Sequence, residues 1–178
     1  MNKDLTATQN DYAHFLPALS GFFATYVGKQ RFDNYVDPAR IPSNFTNGVE
    51  SLNYLNAKEG AFTYKWSLYS AGHADLDTNK IVPKEDMVRN RDRENTWLLG
   101  DSGGFQIGKG VWEGDWKDPN CPKAQKKRDG VLRWMDAYMD YGMILDIPAW
   151  VARSPEGAKS STRYSLAECD FEMQATIA

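Results

Sequence analysis

This chain is short of several things, and each shortage removes a class of protein. Its 178 residues include two cysteines, Cys121 and Cys169, far apart and outside any CxxC or Cys/His cluster. Such a pair builds neither a zinc finger nor a disulfide framework and reads as two free thiols in a reducing cytosol. No apolar run approaches the ~18 residues of a membrane helix. The opening MNKDLTATQNDY is equally without an apolar stretch. A cytoplasmic protein with no membrane partner is expected. Excess positive charge is missing too: the formal net charge is -3, which argues against a surface coated with cations and leaves room for local basic patches. Internal repeats and low-complexity tracts are absent, which excludes solenoids and tandem arrays. The two histidines, His14 and His73, stand apart from every motif below and suit surface or capping roles.

What is present is the apolar mass of a globular protein, 42% hydrophobic and 13% aromatic residues, enough for one core and one domain over residues 1–178. Residues 11–26 carry Phe15, Leu19, Phe22, Phe23 and Tyr26 at helical intervals and predict an amphipathic helix. Residues 37–48 (DPARIPSNFTNG) are turn formers and predict a loop. FTYKWSLY, residues 62–69, alternates and predicts a strand. After a polar segment, residues 73–95, the short apolar TWLL predicts a strand buried on both faces. Residues 109–120 predict an ordered loop. The spacing over 124–141 predicts the clearest helix, with Val131, Trp134, Met135 and Tyr138 on one stripe and Gly142 as its stop. MILDIPAW predicts another buried strand at 143–145, and Ser165 with Glu168 makes a capping-box pattern opening a last helix. Strand, loop, helix, strand, loop, helix is the order of parallel β/α units.

In such architectures ligands bind at the carboxyl ends of the strands. Two acidic residues fall there: Asp101, just past TWLL, and Asp146, directly after the next strand. They are expected to face one cleft, although a single aspartate in that position also serves as an ordinary turn or helix cap. Around Asp101 runs DSGGFQ. Gly103 and Gly104 permit a tight turn and close approach of backbone to ligand. Phe105 offers a flat face, and base-aromatic stacking is worth ~1–3 kcal/mol. Ser102 and Gln106 each donate and accept hydrogen bonds at the same rim. The pattern fits a pocket for a planar, polar heterocycle, and equally a tight turn carrying a core phenylalanine. GGFQIGKG is not a phosphate-binding P-loop, because the GxxxxGK[ST] spacing fails.

LLGDSGGFQ resembles the signature of the tRNA-guanine transglycosylases, the queuine tRNA-ribosyltransferases, in which LTDSGGFQ or LTDSGGYQ forms one wall of the base-exchange site. DIPAW, 146–150, stands where that family has DECTPYPA, keeping the aspartate and a Pro-Ala pair. The resemblance implies a partial (β/α)8 TIM barrel, its N-terminal half, in an α/β chain. It implies an enzyme that replaces guanine in nucleic acid by a 7-deazaguanine base without cutting the backbone. Asp101 would be the catalytic acid/base and ribose-contacting carboxylate, and Phe105 would stack on the exchanged base. Ser102, Gly103, Gly104 and Gln106 would shape the pocket, and Asp146 would read the Watson-Crick edge.

The family's nucleophilic aspartate and its zinc-binding CxCxxC and histidine have no counterpart in this sequence, so no cofactor is expected within the chain itself. A closed barrel takes about 250 residues, so the chain is expected to be the N-terminal half of a longer transglycosylase, split or truncated, a fragment inactive by itself that a second polypeptide or self-association could complete. The loop VWEGDWKD is similar to the divergent phage-type relatives that place 7-deazaguanines into DNA, which makes DNA the expected substrate, tRNA the other, and a host cytoplasm the setting. Trp112 and Trp116 are candidates to stack beside a flipped nucleotide or to pack against the fold. Lys123, Lys126, Lys127 and Arg128 suit either phosphate contact or the solvated start of a helix. A non-catalytic, nucleic-acid-binding accessory subunit that keeps the base pocket is the alternative.

Overall fold

The computed structural model describes residues 14–33, 35–148 and 150. Four strands form one all-parallel sheet in sequential order: β1 (Ala18–Leu19), β2 (Trp66–Ser70), β3 (Trp97–Asp101) and β4 (Tyr141–Gly142). Between them run helices α1 (Gly21–Asp33), α2 (Pro83–Arg89), the short α3 (Gly104–Gly108) and α4 (Pro122–Tyr138), with 3-10 turns at Pro38–Arg40 and Gly48–Leu52. No described helix is long and apolar enough to cross a membrane.

The register shows which face each strand residue takes. Leu19 pairs with Tyr69 and Tyr69 with Gly100, so these share a face, and Ser67 with Leu98 lies on it too. That face is the core: Leu19, Tyr69 and Leu98 pack with Ala24 and Val27 of α1, Met87 and Val88 of α2, and Val131, Trp134 and Tyr138 of α4. Burying each large apolar side chain of this kind stabilises by ~1.5–3 kcal/mol. Close helix packing depends on Gly28, where an added Cβ would overlap the Pro83 carbonyl of α2. The opposite face carries Trp66, Leu68 and Ser70, then Trp97, Leu99 and Asp101, and Tyr141. It is open: Trp97 is 42% and Tyr141 58% exposed. A stack of rings, His14 on Trp66, Trp66 on Trp97 and Trp97 on Tyr141, runs across its lower edge with centroids 4.3, 5.9 and 5.8 Å apart.

Buried polar groups fix the layers. Glu85 accepts hydrogen bonds from the Tyr69 hydroxyl (3.0 Å), the Trp134 indole (3.1 Å) and the Asp75 backbone N–H (2.9 Å), joining β2, α2 and α4. Burial, and after it the Glu85 carboxylate, pushes the Tyr69 phenol up and keeps it a donor. Arg91 donates to the Thr96 and Tyr138 carbonyls and pairs with Asp140 at 3.0 Å, while Asp140 accepts from the Leu98 N–H at 2.7 Å. The end of α4 is thereby tied to the start of β3.

Several expectations are corrected. The strand at TWLL is buried on one face only: Leu98 is in the core while Trp97 looks outward, because helices cover a single side. The helix expected over 11–26 starts at Gly21 instead. Leu68 N–H bonds to the Pro17 carbonyl, drawing the preceding residues into the sheet, and the Ser20 hydroxyl accepts from the Phe23 N–H and caps α1. The expected strand over 62–69 pairs only from Trp66, while Phe62 and Tyr64 turn away, Phe62 stacking on Tyr54 and Tyr64 bonding the Phe15 carbonyl.

The polar segment 73–95 hides α2, whose inward face includes the carboxylates Glu85 and Asp86. The helix expected over 124–141 ends at Tyr138, where Met139 turns extended, and Gly142 lies in β4 rather than stopping the helix. The strand expected at 143–145 is displaced to Tyr141–Gly142, with Met143 and Ile144 exposed. The last helix expected from Ser165 lies outside the described residues, as does Cys169.

Candidate functional site

The residues of the expected base pocket lie at the carboxyl end of β3, in α3, and on the segment beyond β4. Asp101 is the last residue of β3 and pairs with Ser70 of β2, so both side chains point to the open face at the strand ends. Its carbonyl accepts from the Ala71 N–H at 2.9 Å, which holds the two strand ends together. The half-buried Asp101 carboxylate has no hydrogen-bond or ion-pair partner among the described residues. It is available to a ligand.

The turn after it is shaped by its glycines. Gly103 has φ 78°, ψ 18°, in the left-handed region, and a Cβ there would stand 2.7 Å from the Trp112 ring and 2.8 Å from the Gly72 nitrogen. Gly104 opens α3 against the backbone of Asp146, where a Cβ would overlap the Asp146 carbonyl oxygen and lie 3.0 Å from Oδ1. Ser102, 1% exposed, points its hydroxyl at Asp146 and donates to Oδ1 at 3.5 Å. The strand-end carboxylate of Asp101 and that of Asp146, on the segment beyond β4, are thus brought to the same end of the sheet, one free and one positioned by the turn that holds the other. Asp146 is exposed, while its neighbours Leu145 and Ile147 anchor it in a second core cluster with Ile107, Trp116 and Ala124.

Phe105 is 52% exposed at the start of α3 rather than packed in the core. Its ring lies 5.6 Å from that of Trp150, tilted by 53°, and Lys109 Nζ sits 5.4 Å from the Phe105 centroid and 5.2 Å from that of Trp150. Gln106 lays its side chain against Gly72, where an added Cβ would stand 2.8 Å from Nε2, and its amide has no partner among the described residues. An aromatic pair, two carboxylates and an amide thus lie on the turn after β3 and on the segments that touch it. This set can hold a flat heterocycle by its face and by the N–H groups of its edge.

Sequence reasoning missed Trp150, Lys109 and the Ser70–Gly72 wall. Trp150 was legible only as the end of DIPAW, and the β2 wall has no motif of its own. Trp116 is excluded as a stacking platform: it is 2% exposed, and its indole N–H donates to the Trp112 carbonyl. Trp112 is spent in packing on the Gly103 turn. His73 is exposed on the loop after β2, beside Gly21. Among the described residues no group of three or more His, Cys, Asp or Glu side chains could hold a metal ion.

No family model, curated protein or solved structure matches the chain.

Proposed function

We propose that this chain carries the base pocket of a glycosyltransferase that exchanges guanine in nucleic acid, DNA in the first place and otherwise tRNA, for a 7-deazaguanine derivative. The observation that carries the reading is the contact between the Asp101–Phe105 turn and Asp146, through the Ser102 hydroxyl and the Gly104 backbone. Guanine presents N1–H and a 2-amino group side by side, two donors that one carboxylate accepts together, and Asp146 is the exposed, oriented carboxylate for that edge. Phe105 takes the face of the ring. Asp101, unpartnered at the strand end among the described residues, contacts the ribose and moves the proton between departing and incoming base. A pocket built to pair these donors rejects bases that lack them, because the bound base would cover its carboxylate and leave it unpaired.

Strand order supports reading the sheet as half of a (β/α)8 barrel. Doubly wound sheets reverse their order and carry helices on both faces. Here four parallel strands follow one another, α1, α2 and α4 pack on one face, and the other face is open. In a barrel that open face is the interior, filled by side chains from the remaining strands. A second polypeptide or another copy of the chain would supply them, while the carboxylate that attacks C1′ as the glycosidic bond breaks would have to come from a different polypeptide, since this sequence has no counterpart of it. The described residues offer no zinc ligand set, and no step here runs through zinc.

The test is transfer of radiolabelled guanine into tRNA and into duplex DNA by the native assembly containing this chain. Incorporation that Asp101→Asn abolishes supports the reading, and the labelled nucleic acid names the substrate. Guanine binding without incorporation into either acceptor would favour the alternative, an accessory subunit that keeps the pocket without the chemistry.

A further inference from the structure

A concavity lies outside the motif, on the far side of the Trp112 ring from the Gly103 turn. It is a groove of about 800 Å³ between the loop after β2, at Leu76 to Asn79, the loop at Val111 to Glu113, and one side of α4. The first loop follows the carboxyl end of β2 and the second follows α3, within the connection that leaves the carboxyl end of β3, so the groove opens at the same end of the sheet as Asp101. Its helical wall carries Lys123, Lys126, Lys127 and Arg133, a stripe broken by Gly130 where α4 closes on Leu76. Against these four cations stand two carboxylates, Asp77 and Glu113, leaving an excess of two positive charges in a chain whose formal net charge is -3.

The cations are differently engaged. Lys123 Nζ bridges to Glu113 Oε2 at 2.9 Å, and Lys127 Nζ lies 4.9 Å from the centroid of the Trp112 ring. Lys126 and Arg133 are exposed and have no ion-pair or hydrogen-bond partner among the described residues. Trp112 links groove to pocket, since one edge of its ring lies against Gly103 of the Asp101 turn and its face meets Lys127.

We infer that this groove binds the sugar-phosphate backbone of the nucleic acid flanking the nucleotide in the pocket. The inference rests on the reading of this chain as one that acts on nucleic acid, and it adds a surface that works without the base. Long flexible cations along one wall track a line of phosphates, the two unpartnered ones offering the first contacts. Glu113 is the element that opposes it, because its carboxylate competes with phosphate for Lys123.

The test separates groove from pocket with a fluorescein-labelled single-stranded oligodeoxynucleotide that contains no guanine, its binding followed by anisotropy across a salt series. The wild-type chain binds it, and alanine at Lys126, Lys127 and Arg133 together lowers the slope of log K against log salt by about 2, at ~0.7 for each phosphate no longer neutralised. Glu113→Gln tightens binding several-fold, which tests the groove without depending on a loss. Asp146→Asn leaves binding of this probe unchanged. Equal salt slopes for wild type and triple variant, or no tightening by Glu113→Gln, overturn the inference. If wild type fails to bind the probe while still binding guanine, the groove assignment falls and the pocket stands.

Discussion

Gly104 and Asp146 are in backbone contact: α3 begins so close to the segment beyond β4 that any side chain at Gly104 would overlap the Asp146 carbonyl oxygen. The contact brings the second carboxylate to the mouth of the first strand's turn, and a hydrogen atom at position 104 is its condition. Gly104→Ala should therefore destabilise the fold by ~1–3 kcal/mol through overpacking. Urea denaturation gives that cost. Guanine binding by the refolded variant should fall further than the reduced stability explains, because Asp146 is displaced.

Ser102→Ala tests positioning alone. It removes the hydroxyl that reaches Asp146 Oδ1 without changing volume much. At 3.5 Å the bond is long and belongs at the weak end of the range, ~0.5 kcal/mol, so guanine affinity should drop about two-fold while the urea midpoint hardly moves. Equilibrium dialysis against both proteins measures it.

Glu85 is the polar centre of the core. Glu85→Gln places an amide N–H₂ among the Tyr69, Trp134 and Asp75 donors, and the mismatch should cost about 2 kcal/mol. The Trp134 indole would lose a charged acceptor, so its fluorescence emission should shift in the folded variant.

Asp86 gives a pH dependence. Burial raises its carboxyl above the ordinary value, only partly countered by Arg31. A raised folded-state value means that the protonated form is favoured by folding. Its stabilising contribution is present below the unfolded value, near 4, and is lost as pH rises through the folded value. Wild type should lose stability relative to Asp86→Asn between pH 4 and pH 7, as urea melts of the two proteins at each pH will show. The opposite slope would mean that Arg31 dominates.

The open sheet face should drive association. Trp97 and Tyr141 are exposed on a parallel sheet, an arrangement otherwise buried on both sides. Sedimentation velocity should show concentration-dependent self-association of the isolated chain, and Trp97→Lys with Tyr141→Lys should shift it to monomer.

Much of this was legible in residue order. The parallel β/α alternation, the stripe of Val131, Trp134 and Tyr138, and the strand-end position of Asp101 follow from periodicity and turn chemistry, whereas Asp146 lies on the segment beyond β4 and not directly after a strand. What escaped did so for physical reasons. α2 is buried through two carboxylates whose partners come from α1, β2 and α4, so its inner face reads as polar. β1 is recruited by pairing with Leu68 rather than by its own alternation. The one-sided covering of the sheet depends on where the helices pack, which TWLL alone does not encode. In the site, the six contiguous residues DSGGFQ carried their own signal, whereas Trp150 and Lys109 join Phe105 only once α3 is formed and Asp146 is seated against it.

In the proposed pocket, Asp146 reads the edge of guanine. The most direct measurement is equilibrium dialysis of the chain against radiolabelled guanine and against hypoxanthine, which lacks the 2-amino group, for wild type and Asp146→Asn. The account predicts guanine bound at least about ten-fold more tightly than hypoxanthine by wild type, from one charged hydrogen bond of ~1.5–3 kcal/mol, with the preference lost in Asp146→Asn. Equal binding of the two bases by wild type, or a preference that survives Asp146→Asn, would contradict it.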